Sequence, residues 1–132
     1  MRMSRYVLDS FAILAFLQEE PGWQRVRELL TSAANGDAEV HISAINLAEV
    51  QYIIIRRGED IDQRLAALEA LPFNVASADA YIPQVVELKA GYPVSLADCF
   101  AAALAQDLDC PLLTSDPEFR KLDSLIKIEW LG

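Results

Sequence analysis

Short apolar runs with strand character alternate along this chain with longer stretches of helical periodicity, and that alternation limits the fold more than any other feature. Arg5-Tyr6-Val7-Leu8 reads as a strand ended by Asp9-Ser10, with a helix at Phe11–Gln18 behind it. Pro21 opens a second helix at about Gly22–Ala34, where Trp23, Val26, Leu29 and Leu30 recur at helical spacing. Asn35-Gly36-Asp37 is a turn. Val40–Ile42 is the next strand. Ser43 caps a helix from Ala44 to Arg57, and Gly58 stops it.

A helix at Ile61–Ala70 and a strand at Phe73–Val75 follow. Helical structure from Ser77 to Ala90 is kinked or restarted at Pro83. Ser95–Asp107 is an alanine-rich helix, Leu112–Thr114 a strand, Asp116-Pro117 a short helical turn, and Lys127–Trp130 the last strand. This order predicts an α/β fold with a parallel sheet and helices on both faces. Right-handed crossovers then align the C-terminal ends of the strands along one edge, where open α/β sheets hold their ligands. A length of 132 residues suits a single domain over 1–132.

Charge narrows the function classes. The chain carries 11 basic and 20 acidic residues, a net charge of −9. A generic nucleic-acid binder is basic, because its affinity comes from neutralising phosphates. This chain is not one, and its acidity suits either an unrelated role or an enzyme that meets phosphates through bound cations and a few local arginines. A basic protein partner also fits. The apolar runs Phe11–Leu17 and Tyr52–Ile55 fall far short of the ~20 residues that cross a bilayer. Asp9 and Ser10 interrupt the apolar run behind Arg2 and Arg5 as a signal sequence, so export is not expected and a cytoplasmic location is. Cys99 and Cys110 sit in apolar contexts without a C-x-x-C pair, as buried thiols.

Four acids fall on the ligand-bearing edge. Asp9 ends the first strand, Asp116 follows the Leu112–Thr114 strand, and Asp98 is the fourth residue of the Ser95 helix. Glu49 lies roughly 8 Å into its own helix at ~1.5 Å per residue. Singly, Asp9 and Asp116 are good helix caps, and Ser95-Leu96-Ala97-Asp98 resembles a capping box. The Glu49 helix is apolar around most of its circumference, which predicts burial, with Asn46, Glu49 and Arg56 on one polar strip. Asp98 shares its helix face with Ala101, Ala102 and Ala105, a face suited to close packing on the sheet.

Carboxylates gathered together repel one another unless a cation joins them, and an oxygen-only set suits Mg²⁺ or Mn²⁺. Such an ion can activate a water against a phosphodiester. Ser10 and Thr114, beside two of the aspartates, are candidate orienting hydroxyls. Other chemistries lack their parts. His41 is the only histidine, which excludes a paired-histidine ribonuclease, and neither a G-x-S-x-G elbow nor a glycine-rich phosphate loop occurs.

Tyr6–Ala12 (YVLDSFA), Ile45–Val50 (INLAEV), Ser95–Phe100 (SLADCF) and Leu112–Phe119 (LLTSDPEF) together resemble the motifs of PIN-domain ribonucleases, and more narrowly of VapC-type toxins. The resemblance runs through essentially the whole chain, in order. It implies a three-layer α/β/α sandwich around a mainly parallel sheet and a Mg²⁺- or Mn²⁺-dependent endoribonuclease. Asp9, Glu49 and Asp98 would be the core catalytic and metal-binding acids, Asp116 the less constant fourth, with Ser10 and Thr114 at the usual hydroxyl positions. It further implies a homodimer and a VapB-like antitoxin that obstructs the acidic pocket. Cations for RNA are few: Arg56-Arg57, Arg120-Lys121, and Arg2 with Arg5. They suit recognition of a particular folded RNA by shape.

Two other readings stand beside this one. The first is a PIN-like interaction module that has lost catalysis, against which the complete acid set argues. The second is a receiver- or phosphatase-like domain. Asp9-Ser10-Phe11 lacks the D-x-D nucleophile motif, Asn74 occupies the central strand end, and Lys121 is poorly placed as a receiver lysine.

Overall fold

β1 (Ser4–Leu8) runs up the middle of a single parallel sheet, because both of its edges are taken. In the computed structural model, which describes residues 3–132, the strand order is β3-β2-β1-β4-β5. The other strands are β2 (Ala38–Ser43), β3 (Asn74–Ala76), β4 (Leu112–Thr114) and β5 (Ile128–Trp130). Arg2 lies outside the described residues.

Pairing of Val7 with Leu112 and Leu8 with Leu113 sets the register of β1 on β4. Successive strand residues face opposite ways, so each strand feeds two cores. Val7 and Leu112 pack against α5 (Ile82–Gly91) and α6 (Leu96–Leu108), through Val85, Leu88, Phe100 and Leu104. Leu8, Leu113, Val40 and Ile42 pack on the other side, against α1 (Ser10–Gln18), α2 (Trp23–Ala34), α3 (Ala44–Arg56) and α4 (Ile61–Glu69). The result is the expected three-layer sandwich.

β2 and β3 extend the sheet to one side of β1, and β4 and β5 to the other. The crossover direction therefore reverses between β1 and β4. In a doubly wound sheet that reversal opens a crevice at the C-terminal strand ends. Asp9 follows β1, and Asp116 lies just beyond β4.

Local signals fix several boundaries. Asp9 caps α1, Ser43 caps α3, Ser95 caps α6, and Asp116 caps a 3₁₀ helix at Pro117–Leu122. Gly58, at φ 75°, takes the left-handed turn that ends α3. The helical stretch expected from Ser77, kinked or restarted at Pro83, restarts there: a 3₁₀ turn at Asp79–Tyr81 gives way to α5, with Pro83 in its first turn. A proline at that position gives up only an amide that has no partner there.

α3 departs from expectation. Val50 and Ile54 are buried, but Tyr52 and Ile55 are 45% and 58% exposed, so this helix covers one core along most of its length, meets the other at Ile45, and leaves an apolar outer face. α6 is the better covered, buried without a break from Asp98 to Ala105, and its alanines permit that close approach.

Candidate metal centre

The carboxylates at the C-terminal ends of β1 and β4 and at the α6 N-terminus are positioned by the helix caps. Asp9 Oδ1 accepts the Ala12 amide at 2.8 Å, holding the side chain at the α1 N-terminus. Its Oδ2 accepts the Thr114 hydroxyl at 2.5 Å, and Thr114 Oγ1 accepts the Asp116 amide at 2.9 Å. Asp116 Oδ1 in turn accepts the Glu118 amide at 3.0 Å. A continuous chain of bonds thus joins the ends of the two central strands.

α3 and α6 bring the other two acids. The Ser10 hydroxyl donates to Glu49 Oε1, with the Asn46 carbonyl 3.2 Å away as a second acceptor. The Asn46 side-chain amide donates to the Ala97 carbonyl at 3.1 Å and to Ser10 Oγ at 3.4 Å. Asn46 therefore stitches α1, α3 and α6 together one residue before Asp98. Its Oδ1 is buried without a partner. At the α6 N-terminus the Ser95 hydroxyl accepts the Asp98 amide at 3.1 Å, which is half of a capping box. Among the described residues the Ser95 amide donates no hydrogen bond back to the Asp98 carboxylate.

Electrostatics place these acids within reach of one another. Asp9 is 1% exposed; burial lifts its carboxyl to about 7, against the pull of the Thr114 and Ala12 bonds, and the charges of Asp98 and Asp116 add to the rise. Asp98 is 5% exposed and is pushed up to about 6, first by burial, then by Asp116, against the pull of the Ser95 hydroxyl, with smaller contributions from Glu49 and Glu118. Every charge named in this list is negative. Raised carboxyls in a crevice with convergent acids mark a candidate functional site.

Glu118 is the acid that the sequence did not single out. It stands two residues past Asp116 in the first turn of the 3₁₀ helix, is exposed, and pairs with Lys121 at 2.8 Å. The i, i+2 spacing from Asp116 was its only sequence signal. His41 sits on β2 beside Val7, and its Nε2 is buried without a partner. Cys99 and Cys110 are buried free thiols.

Asp9, Asp98, Glu49 and Asp116 supply oxygen donors only, which suits Mg²⁺ or Mn²⁺ over softer metals. Among the described residues no three His, Cys, Asp or Glu side chains stand together as a ready-made cage. An oxygen of Asp116, and both oxygens of Glu49 and of Asp9, already accept protein donors. Each such oxygen keeps a second lone pair for a cation. The set fits a divalent ion that binds with retained waters, in the manner of Mg²⁺.

The polar strip expected on α3 is divided by its neighbours. Asn46 is buried against α1 and α6, Glu49 is half-buried at the crevice, and Arg56 is exposed. Arg57 turns aside to donate to Gln18 Oε1 at 2.5 Å.

Residues 6–125 match the sequence model of the family described as PIN domain. No curated protein matches the chain in sequence. Among solved structures, its fold is similar to DNA-bound VapBC from Salmonella typhimurium, at 23% identity and a TM-score of 0.75, covering 97% of this chain and 98% of that one. It is similar to VapBC2 from Rickettsia felis bound to a promoter DNA fragment, at 20% identity and a TM-score of 0.72, covering 97% and 99%. VapBC-5 from Mycobacterium tuberculosis matches at 23% identity and a TM-score of 0.61, covering 97% and 98%.

Proposed function

This chain belongs to the PIN-domain family, and on that premise we propose that it is a metal-dependent endoribonuclease, the toxin of a VapBC-type pair, built as one PIN-like domain. The observation that carries the reading is the buried Asp98, on whose carboxyl the charges of Asp116 and Glu49 act at the sheet's switch point. Four elements distant in sequence contribute to one crevice.

Asp9 and Asp98 would hold a Mg²⁺ or Mn²⁺ ion, with Glu49 completing its surroundings or orienting the attacking water. Asp116 would act through water or on a second ion. When bound, such an ion neutralises phosphate charge and makes water nucleophilic near neutral pH. The chain's own groups fix the geometry. Ser10 holds the Glu49 carboxylate by a donated hydrogen bond, and Thr114 holds Asp9 in the same way. Water would attack phosphorus in line and break the bond to the 3′ oxygen, which would leave as a 3′ hydroxyl with the proton the water gives up, and the products would carry 5′-phosphate ends.

A protein partner follows from the same site. An antitoxin peptide that places an arginine or lysine among the acids would neutralise them without metal. The exposed apolar side chains of Ile82 and Val86 on α5 supply surface for an antitoxin and for a homodimer. Among the described residues no helix is long and apolar enough to cross a membrane. A cytoplasmic location fits an RNA substrate.

The second reading is a PIN-like interaction module without catalysis. The exposed apolar surface and the lack of a ready-made metal cage favour it. Assay of the purified, partner-free protein on RNA with Mn²⁺ or Mg²⁺ separates the two. The nuclease reading expects internal cuts that EDTA abolishes. No cutting with either ion, or full cutting in excess EDTA, overturns it.

A further inference from the structure

Glu49, Tyr52 and Arg56 follow one another at i, i+3 and i+7 on α3, so they form a single row running away from the acids. The Tyr52 hydroxyl lies 3.5 Å from Glu49 Oε2, and the guanidinium carbon of Arg56 lies 5.2 Å from the centre of the Tyr52 ring. Arginines also lie over Tyr6, Trp23 and Trp130, but Tyr52 is the ring that reaches a carboxylate of the candidate centre. Phe11, which directly follows the Ser10 that holds Glu49, is likewise exposed.

Arg56, like Arg27 and Arg120, lies over an aromatic ring and enters no ion pair among the described residues. Among the described residues the ion pairs engage Arg5, Arg25, Arg64, Lys121 and Lys127, and Arg57 is spent on Gln18. Arg56 has no carboxylate partner in that set. It covers one side of an aromatic ring, and the ring remains nearly half exposed.

We propose that Tyr52 and Arg56 form a subsite for an unpaired nucleotide next to the cut, its base stacked on Tyr52 and its phosphate held by Arg56. This rests on the nuclease reading and adds to it two residues of this chain that select the nucleotide beside the cut. An aromatic face accepts any base, because every base has a π-face, and the bases of a duplex do not offer theirs. Arg56 lies roughly 10 Å along the helix from Glu49, within reach of a neighbouring phosphate. Its charge favours a polyanion on this surface over a basic antitoxin segment.

Binding of a fluorescent single-stranded RNA, followed by anisotropy in Ca²⁺, and cleavage of the same RNA in Mn²⁺ test the proposal together. Tyr52→Ala is expected to weaken binding by about tenfold to a hundredfold, with the loss in cleavage falling on KM and not on kcat. Tyr52→Phe and Tyr52→Trp should keep binding, since they keep a stacking face. Arg56→Ala should weaken binding and lower the salt slope by about one. Ile55→Ala, on the outer side of the same helix, should change neither.

Wild-type cleavage together with unaltered binding by Tyr52→Ala overturns the subsite and leaves the nuclease reading standing. Loss of binding in Tyr52→Phe as well as in Tyr52→Ala also overturns it, because the hydroxyl on Glu49 would then be the active feature. If Tyr52→Ala binds RNA normally but no longer captures a co-expressed antitoxin, the surface belongs to a protein and the proposal fails. Absence of both wild-type binding and wild-type cleavage removes the nuclease reading and this subsite with it.

Discussion

Thr114 donates a hydrogen bond to Asp9 across 105 positions of sequence, at 2.5 Å, between the ends of the two central strands. Both residues are buried. A short bond from a hydroxyl to a carboxylate is of the stronger, charge-assisted kind. Thr114→Val keeps the shape and removes the donor, so it should cost on the order of 1.5–3 kcal/mol. RNA cleavage should fall with it, and Thr114→Ser should restore much of both. Urea unfolding and initial cleavage rates measure the two effects.

The raised carboxyls make the metal-free protein sensitive to pH. Asp98 moves from 3.8 to about 6 and Asp9 from 3.8 to about 7, so the native state holds protons that the unfolded chain has released. Stability from these groups is fully present below about pH 4 and is lost as pH rises through the folded values. Asp98→Asn removes one of them. It should stabilise the metal-free protein by on the order of 3 kcal/mol at pH 8 and by almost nothing at pH 4. Thermal melts of both proteins in EDTA across that range measure it. A constant difference between them would contradict the assignment.

A divalent ion reverses the same repulsion. At about a hundred times its dissociation constant, Mn²⁺ should raise stability by about 2.7 kcal/mol at pH 7.5. The gain should shrink toward pH 5, where protons compete for Asp98 and Asp9, and should be small in Asp98→Asn. Melting temperatures with and without Mn²⁺ decide this.

Asn46 holds three helices at one point, through Ser10 and the Ala97 carbonyl. Asn46→Ala should cost roughly 1–3 kcal/mol. It should also lower kcat for RNA, since Glu49 and Asp98 ride on the helices it joins. Equal stability and equal kcat in the variant would assign Asn46 no part in positioning.

Much of this was legible because the signals are local. The Asp9, Ser43, Ser95 and Asp116 caps, the Gly58 stop and the alternation of strands with helices each depend on a few adjacent residues, and each appears in the structure. The parallel sheet followed from them. Features that depend on which helices pack together were not legible. A helical wheel places Asn46, Glu49 and Arg56 on one strip, but α1 and α6 cover the first and leave the last in solvent. The apolar count of α3 suggested that the helix is largely buried, yet Tyr52 and Ile55 face outward, because beyond Ile45 the helix lies over one core only. Glu118 acts on Asp98 through space alone.

Locating Mn²⁺ by its anomalous scattering in crystals of this protein tests the convergence of the acids most directly. A peak bound by oxygens of Asp9 and Asp98, with Glu49 or Asp116 beside it, is the predicted result. A fully loaded crystal with its manganese elsewhere, or with none in the β1–β4 crevice, would contradict it.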